Sequence, residues 1–235
     1  VNNVRTVSDT KRAFYNLHTR PINSIYRRVV EELMVEMHLL SVNADFRYDA
    51  IYALGVVTAF DRFMQGYRPE GDKDSVFDAL CRAIEKDPHT YRQNAEQLCV
   101  DANGLSVDEF VSQLKQLQAS DGQGIAAHFR PVAENAQFKY SRLFAIGLYT
   151  LLERMNADVV KDEKQRNSAL QQVAEALNLP QDKVQKDLEL YRSNLEKMAQ
   201  AQIVMEDILK ADRKKKEERA KAKDAIATPP TNPQE

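Results

Sequence analysis

Four histidines (His18, His38, His89, His128) and two cysteines (Cys81, Cys99) are the residues best suited to metal binding or nucleophilic chemistry, and their spacing supports neither. No histidine stands three or four residues from another, and none follows a glutamate by three, so the Glu-x-x-His pattern of di-iron bundles is absent. His-Glu-x-x-His and paired Cys-x-x-Cys ligands are absent too. Glu31, Glu32 and Glu36 near His38 come closest to a carboxylate cluster, and a solvated helix face accounts for them. Ser8-Asp-Thr-Lys11 matches the Ser-x-x-Lys fragment of acyl-enzymes without its Ser-Asp-Asn and Lys-Thr-Gly companions, so a capped helix start explains it better. Gly122-Gln-Gly124-Ile-Ala-Ala127 matches a shortened dinucleotide fingerprint, yet no strand precedes it and no βαβ unit holds it. With no Walker A loop and no Gly-x-Ser-x-Gly elbow, the expectation is a protein that is not an enzyme and binds no cofactor or metal.

The elements that carry these residues are helical. In 235 residues there are only 7 Gly and 8 Pro, too little punctuation for many short strands and tight turns. Apolar residues make up 43%, enough for a core, while 29% charged residues and a negative mean hydropathy argue against a membrane protein. The longest charge-free apolar stretch, Ala50 to Phe60, falls far short of the roughly 20 residues that span a bilayer. No signal peptide is expected from the polar Val1-Asn-Asn-Val-Arg5 start. Two thiols cannot staple a fold of this size; both read as small buried hydrophobes in a reducing compartment.

Periodicity and punctuation place the helices. Ser8 caps a short one to about His18, and Pro21 suits the entry to the next, about Ile22 to Ser41, whose stripe is Ile25, Val29, Leu33, Met37 and Leu40. Asp49 begins a helix to about Tyr67 that is apolar nearly all round, where Gly55 implies close helix–helix approach. Further helices follow from Asp74 to Lys86, from the Asp87-Pro88 restart to Val100, and from the Ser106–Glu109 capping box onward. Residues 119–135 look least regular. Ala136 to Glu153, with Phe138 inward, forms a second buried helix, and Asn156 to Leu177 a more polar one.

From Gln181 no Pro or Gly appears until Pro229, so one helix runs to about Lys223. Its apolar positions follow a heptad: Leu188, Leu195 and Leu209 at one seam position, Val184, Tyr191, Met198 and Met205 at the other, with Gln202 as a polar break. This seam can dock on the chain's own body or on a partner. Beyond Leu209 it dissolves into Lys210, Arg213, Lys214, Lys215, Lys216 and Arg219, an anionic-surface contact in kind. Residues 210–224 carry eight Lys/Arg against four Asp/Glu, whereas the net −2 of the chain leaves about −5 for residues 1–209. Interleaved acids and an acidic body disfavour nucleic acid. An attraction of roughly 1 kcal/mol per basic residue gives weak adhesion to an anionic membrane and not anchoring.

Several segments together carry a family likeness. They are Thr6-Val-Ser-Asp-Thr-Lys-Arg-Ala-Phe14, Arg20-Pro-Ile-Asn-Ser-Ile-Tyr26, Tyr48-Asp-Ala-Ile-Tyr-Ala-Leu-Gly-Val-Val-Thr58, Tyr140-Ser-Arg-Leu-Phe-Ala-Ile-Gly-Leu148 and Asp187-Leu-Glu-Leu-Tyr-Arg192. In that order, over most of residues 4–223, the chain resembles the thylakoid formation protein family, also described as a photosystem II biogenesis factor family. The resemblance implies an all-helical fold with a C-terminal coiled-coil-like helix. It also implies a role in thylakoid biogenesis and photosystem II assembly or repair, through a thylakoid FtsH-type protease complex and with photosystem II components as further partners. It brings no catalytic residue with it. Lack of the transit peptide that plant members carry implies a cyanobacterial protein, peripheral on the cytoplasmic side of the thylakoid with a soluble cytoplasmic pool. The expected architecture is all-α: a compact multi-helix body (1–180), a long helix (181–224) and a disordered tail (225–235). The rival reading is a membrane-organising protein that binds anionic lipid through its basic helix.

Overall fold

The computed structural model describes residues 4–119 and 122–227, with side chains through residue 222. Among these are eleven helices and no strand. They are α1 (Val7–Leu17), α2 (Ser24–Ser41), α3 (Ala50–Phe63), α4 (Asp72–Ala83), α5 (Pro88–Asp101) and α6 (Val107–Lys115). After these come α7 (Ile125–Ala133), α8 (Arg142–Met155), α9 (Ala157–Lys161), α10 (Glu163–Ala176) and α11 (Gln181–Ala227). By internal packing the chain divides into two compact units, one ending at Arg192 and the other beginning at Ser193. The break thus falls inside α11, whose first turns belong to the first unit, and not at the element boundary expected at 180. Of the expected tail (225–235), residues 225–227 continue α11, and residues 228–235 are outside the described residues.

The first unit is built on α3 and α8. Ile51 to Val56 are buried without interruption, as are Leu143 to Leu152, so neither helix has a polar face along these stretches. They pack on each other, with α5 and α2 against α3 and α9 against α8. The crossing is close enough to exclude side chains: a Cβ on Gly55 would lie 1.7 Å from the Leu143 carbonyl oxygen. One on Gly147 would lie 2.0 Å from that of Ile51. The close approach read from Gly55 is present, and Gly147 is its reciprocal half.

Helix starts follow local acceptors. The Asp49, Asp87 and Ser106 caps stand where expected, the last as a full capping box with Glu109. At the first helix the cap is Thr6 and not Ser8, because Asp9 lies three residues after Thr6 and closes a capping box, whereas Ser8 has Lys11 there and no acceptor. Helix α2 starts at Ser24 and not at Ile22, because Asn23 caps it by accepting from the Ile25 N–H. Its buried face is wider than the expected stripe: Tyr26, Val30 and Met34 join Leu33, Met37 and Leu40, while Ile25 and Val29 are half-buried, since α2 packs on both α1 and α3.

Three further elements differ from expectation for visible reasons. Residues 125–133 form α7, because Ile125, Ala126, Phe129 and Val132 share a buried face; Pro131 lies inside the helix and gives up one bond of its ladder. The second buried helix starts at Arg142, since the Asn135 side chain accepts from the Gln137 N–H (3.0 Å) and turns the chain; Phe138 lies before it, edge-on to Phe144. The polar helix splits at Asp162, which accepts from the Gln165 N–H (2.8 Å) to cap α10, while Arg166 donates to the Val160 carbonyl (3.0 Å) and closes α9.

Gly55→Ala gains helix propensity of about 1 kcal/mol but forces a Cβ into a backbone carbonyl, so a net loss of about 2–4 kcal/mol is expected in urea unfolding. A variant as stable as wild type would show that the crossing gives way easily. Asp49 provides a pH test. Burial raises its carboxyl to about 6 against the pull of the Tyr52 and Ile51 N–H groups. A raised carboxyl contributes stability in its protonated form, fully below the unfolded value near 3.8, and loses it as pH rises through about 6. Asp49→Asn keeps the capping oxygen and cannot ionise. It is expected to exceed wild type by on the order of 2 kcal/mol at pH 8, narrowing toward zero by pH 4, whereas Asp49→Ala loses the cap at about 1 kcal/mol. Thermal melts across that range check both.

Candidate partner-binding surface

The first three seam residues serve the body. Val184, Leu188 and Tyr191 are buried, with Tyr191 at 1% exposure. Its ring meets Phe63 at 5.9 Å and Tyr149 at 6.1 Å, both edge-on. Its hydroxyl accepts from Arg62 (3.3 Å), and the same guanidinium donates to Glu153. Burial pushes the Tyr191 phenol up to about 12, so it stays neutral at physiological pH. One turn earlier Asp187 accepts from the Tyr140 hydroxyl (2.8 Å), while the Lys183 ammonium stands 5.3 Å from the Tyr140 ring centroid.

The expected solvated carboxylate face on α2 is a set of ties. Glu31 accepts from Lys11 (2.9 Å) and from the Tyr15 hydroxyl (2.6 Å), and those two hydrogen bonds hold its carboxyl below the usual range. Glu36 receives Arg142 at 2.6 Å, joining α2 to the start of α8, and Glu32 pairs with Arg28 at 3.0 Å along the helix. All of these but Tyr15 line an open groove of about 860 Å³ that α2 forms with residues 140–142 and the first two turns of α11. Cations and carboxylates alternate along it, so the groove has little preference for a ligand of one sign.

Three of the four histidines do similar work, while His89 is exposed in the first turn of α5. His38 Nδ1 lies 2.8 Å from Thr10 Oγ1, His18 Nδ1 lies 3.0 Å from Ser75 Oγ, and His128 Nε2 lies 2.7 Å from Asp101 Oδ2. Each joins segments far apart in the chain. Cys81 is fully buried and its thiol is pushed up to about 12 by that burial, while Cys99 is half-buried and also raised. Both remain protonated and poor nucleophiles. Among the described residues no group of three or more His, Cys, Asp or Glu is arranged to hold a metal ion.

The other seam residues, Leu195, Met198, Met205 and Leu209, belong to the second unit, as do Lys210, Arg213, Lys214, Lys215, Lys216 and Arg219. Leu209 and all six of these basic residues are exposed. Ile203, Val204 and Ile208 are more than half exposed, a density of bare aliphatic surface that the heptad pattern alone does not distinguish from a covered seam. None of the three is a seam position of the heptad read from the sequence.

These features define an all-helical protein in which several histidines and glutamates fasten helices together and whose second unit exposes apolar and basic surface on one long helix. Residues 6–220 match the thylakoid formation protein family. The chain is 61% identical to protein Thf1 of Nostoc punctiforme over 99% of both chains, and 61% identical to that of Trichormus variabilis over 97% of this chain and 98% of the relative. Protein Thf1 of Acaryochloris marina is 52% identical over 98% of this chain and 94% of its own. The solved structure of Psb29 superposes with a TM-score of 0.80 at 47% identity, over 90% of this chain and 98% of that one. This chain belongs to the thylakoid formation protein family.

The buried role of Tyr191 is testable by truncation. Tyr191→Phe removes only the hydroxyl's bond to Arg62 and is expected to cost about 0.5–1.5 kcal/mol. Tyr191→Ala empties a core site between α3 and α8 and is expected to cost about 3–5 kcal/mol. Chemical denaturation measures both, and an Ala variant near wild-type stability would free this turn of α11 for a partner.

Proposed function

We propose that the chain is a non-enzymatic auxiliary factor for thylakoid biogenesis and for photosystem II assembly and repair. It acts by binding and supporting a thylakoid FtsH-type protease complex, with photosystem II components as further partners. The carrying observation is the family match across residues 6–220, with relatives of the same length over nearly the whole chain. The commitment of histidines and glutamates to helix–helix ties agrees with a binding role. Among the described residues no helix is long and apolar enough to cross a membrane. The proposal takes the protein to be peripheral, on the cytoplasmic side of the thylakoid, with a soluble pool.

Affinity capture of tagged full-length protein from detergent-solubilised thylakoids tests this. FtsH-type subunits are expected in the eluate above an untagged control. Recovery of photosystem II subunits without any protease subunit would remove the protease from the proposal.

A further inference from the structure

We propose that the distal part of α11 is an anionic-lipid-binding face, on which aliphatic and basic residues line up along one side of the helix. The argument begins with spacing. Val204, Ile208, Lys215 and Arg219 follow one another at intervals of four, seven and four, and Leu209 and Lys216 are seven apart. At 3.6 residues per turn these six residues share one side. All six are exposed, with Val204 at 58%, Ile208 at 56% and Leu209 at 51%. Glu206, Asp207, Glu217 and Glu218 fall on the opposite side, the two pairs being eleven residues, or about three turns, apart. Asp212 is the acid that interrupts the face, and Ile203 lies across the helix and takes no part.

This order favours a lipid surface over another helix. A coiled-coil partner needs an apolar seam sustained over several heptads, whereas this face turns basic within two turns of Leu209. At a membrane interface both kinds of residue are accommodated on the same side. Short aliphatic side chains enter the acyl boundary, while long lysine and arginine stems lie along it with their charges among the phosphates. The charges complement an anionic leaflet, and the apolar residues add the contribution that basic residues alone lack. The inference rests on the surface of α11 and stands or falls independently of the protease reading.

Co-sedimentation of the full-length protein with mixed phosphatidylglycerol–phosphatidylcholine vesicles, against pure phosphatidylcholine, tests the face. Wild type is expected on the anionic vesicles at low salt and to be released at high salt. The variant Val204→Ser/Ile208→Ser/Leu209→Ser is expected to bind about tenfold more weakly with unchanged helicity by circular dichroism. Lys215→Gln/Lys216→Gln/Arg219→Gln is expected to lose about as much. Lys210→Gln/Arg213→Gln/Lys214→Gln removes the same charge from the other side of the helix and is expected to lose only about twofold. Equal losses from the two basic triples, or no loss from the aliphatic triple, would falsify the assigned face. Wild-type protein that ignores anionic vesicles while an immobilised acidic helical peptide retains it would make the face a protein-binding one and overturn the proposal.

Discussion

The body of this protein depends on one contact, the crossing of α3 and α8, where each helix offers a glycine to a backbone carbonyl of the other. Any side chain at Gly55 or Gly147 would occupy the space of the Leu143 or Ile51 carbonyl, so the axes approach more closely than ordinary ridges and grooves allow. That closeness explains why the two helices are apolar all round. Their other faces are wrapped by α2, α5 and α9, and along the crossing no side remains for water. Glycine in a helix interior lowers propensity by about 1 kcal/mol, a loss offset here by dense packing of Leu54, Val56, Phe144 and Leu148 around the crossing.

Around this apolar centre, orientation is set by a few polar ties between segments distant in sequence. Arg142 to Glu36 fastens the first turn of α8 to α2; Arg62, bonded to Glu153 and Tyr191, links α3, α8 and α11. These pairs are partly shielded, so removing one partner leaves the other short of water and short of a counter-charge. Lys11, Tyr15 and Glu31 do the same for α1 and α2. Three of the histidines and two of the α2 glutamates that looked capable of chemistry therefore index one helix against another.

Much of this was legible beforehand, and the boundary of legibility is physical. The cap made by Ser106 with Glu109, three positions on, involves only local geometry and is visible in the sequence; at the first helix Thr6 with Asp9 makes the same pattern, but Ser8 competes with it as a capping letter. Gly55 was visible too, because glycine in an apolar helix demands a reason. Gly147 was visible as a letter but not as its reciprocal, since the pairing of two helices is not written in either one. The tie at Glu36 is hidden for the same reason: in the sequence it looks solvated until Arg142, 106 residues away, is brought beside it. Asn135 delays the start of a helix that periodicity places from Ala136, because its side-chain oxygen accepts from the Gln137 N–H in competition with the helical ladder.

The long helix shows how one heptad supports two kinds of surface. Through Tyr191 its apolar positions are core residues, held by aromatic edges and by Arg62. Beyond Arg192 the periodicity continues, but local interactions carry more of the helical stability. Glu206 and Lys210, Asp212 and Lys216, and Glu217 and Lys221 are each four apart with the acid first, the favourable order, at about 0.3–0.5 kcal/mol per pair. Alanine, glutamate, lysine and glutamine fill most remaining positions and have high intrinsic propensity. The acids that weaken any simple reading of this segment as a basic tip thus have a local role. They support the helix, mostly from the side away from Val204, Ile208 and Arg219, and leave that side free to meet a surface. Asp212, the exception, is spaced to be neutralised by Lys216, so its interruption of the face is smaller than its formal charge implies.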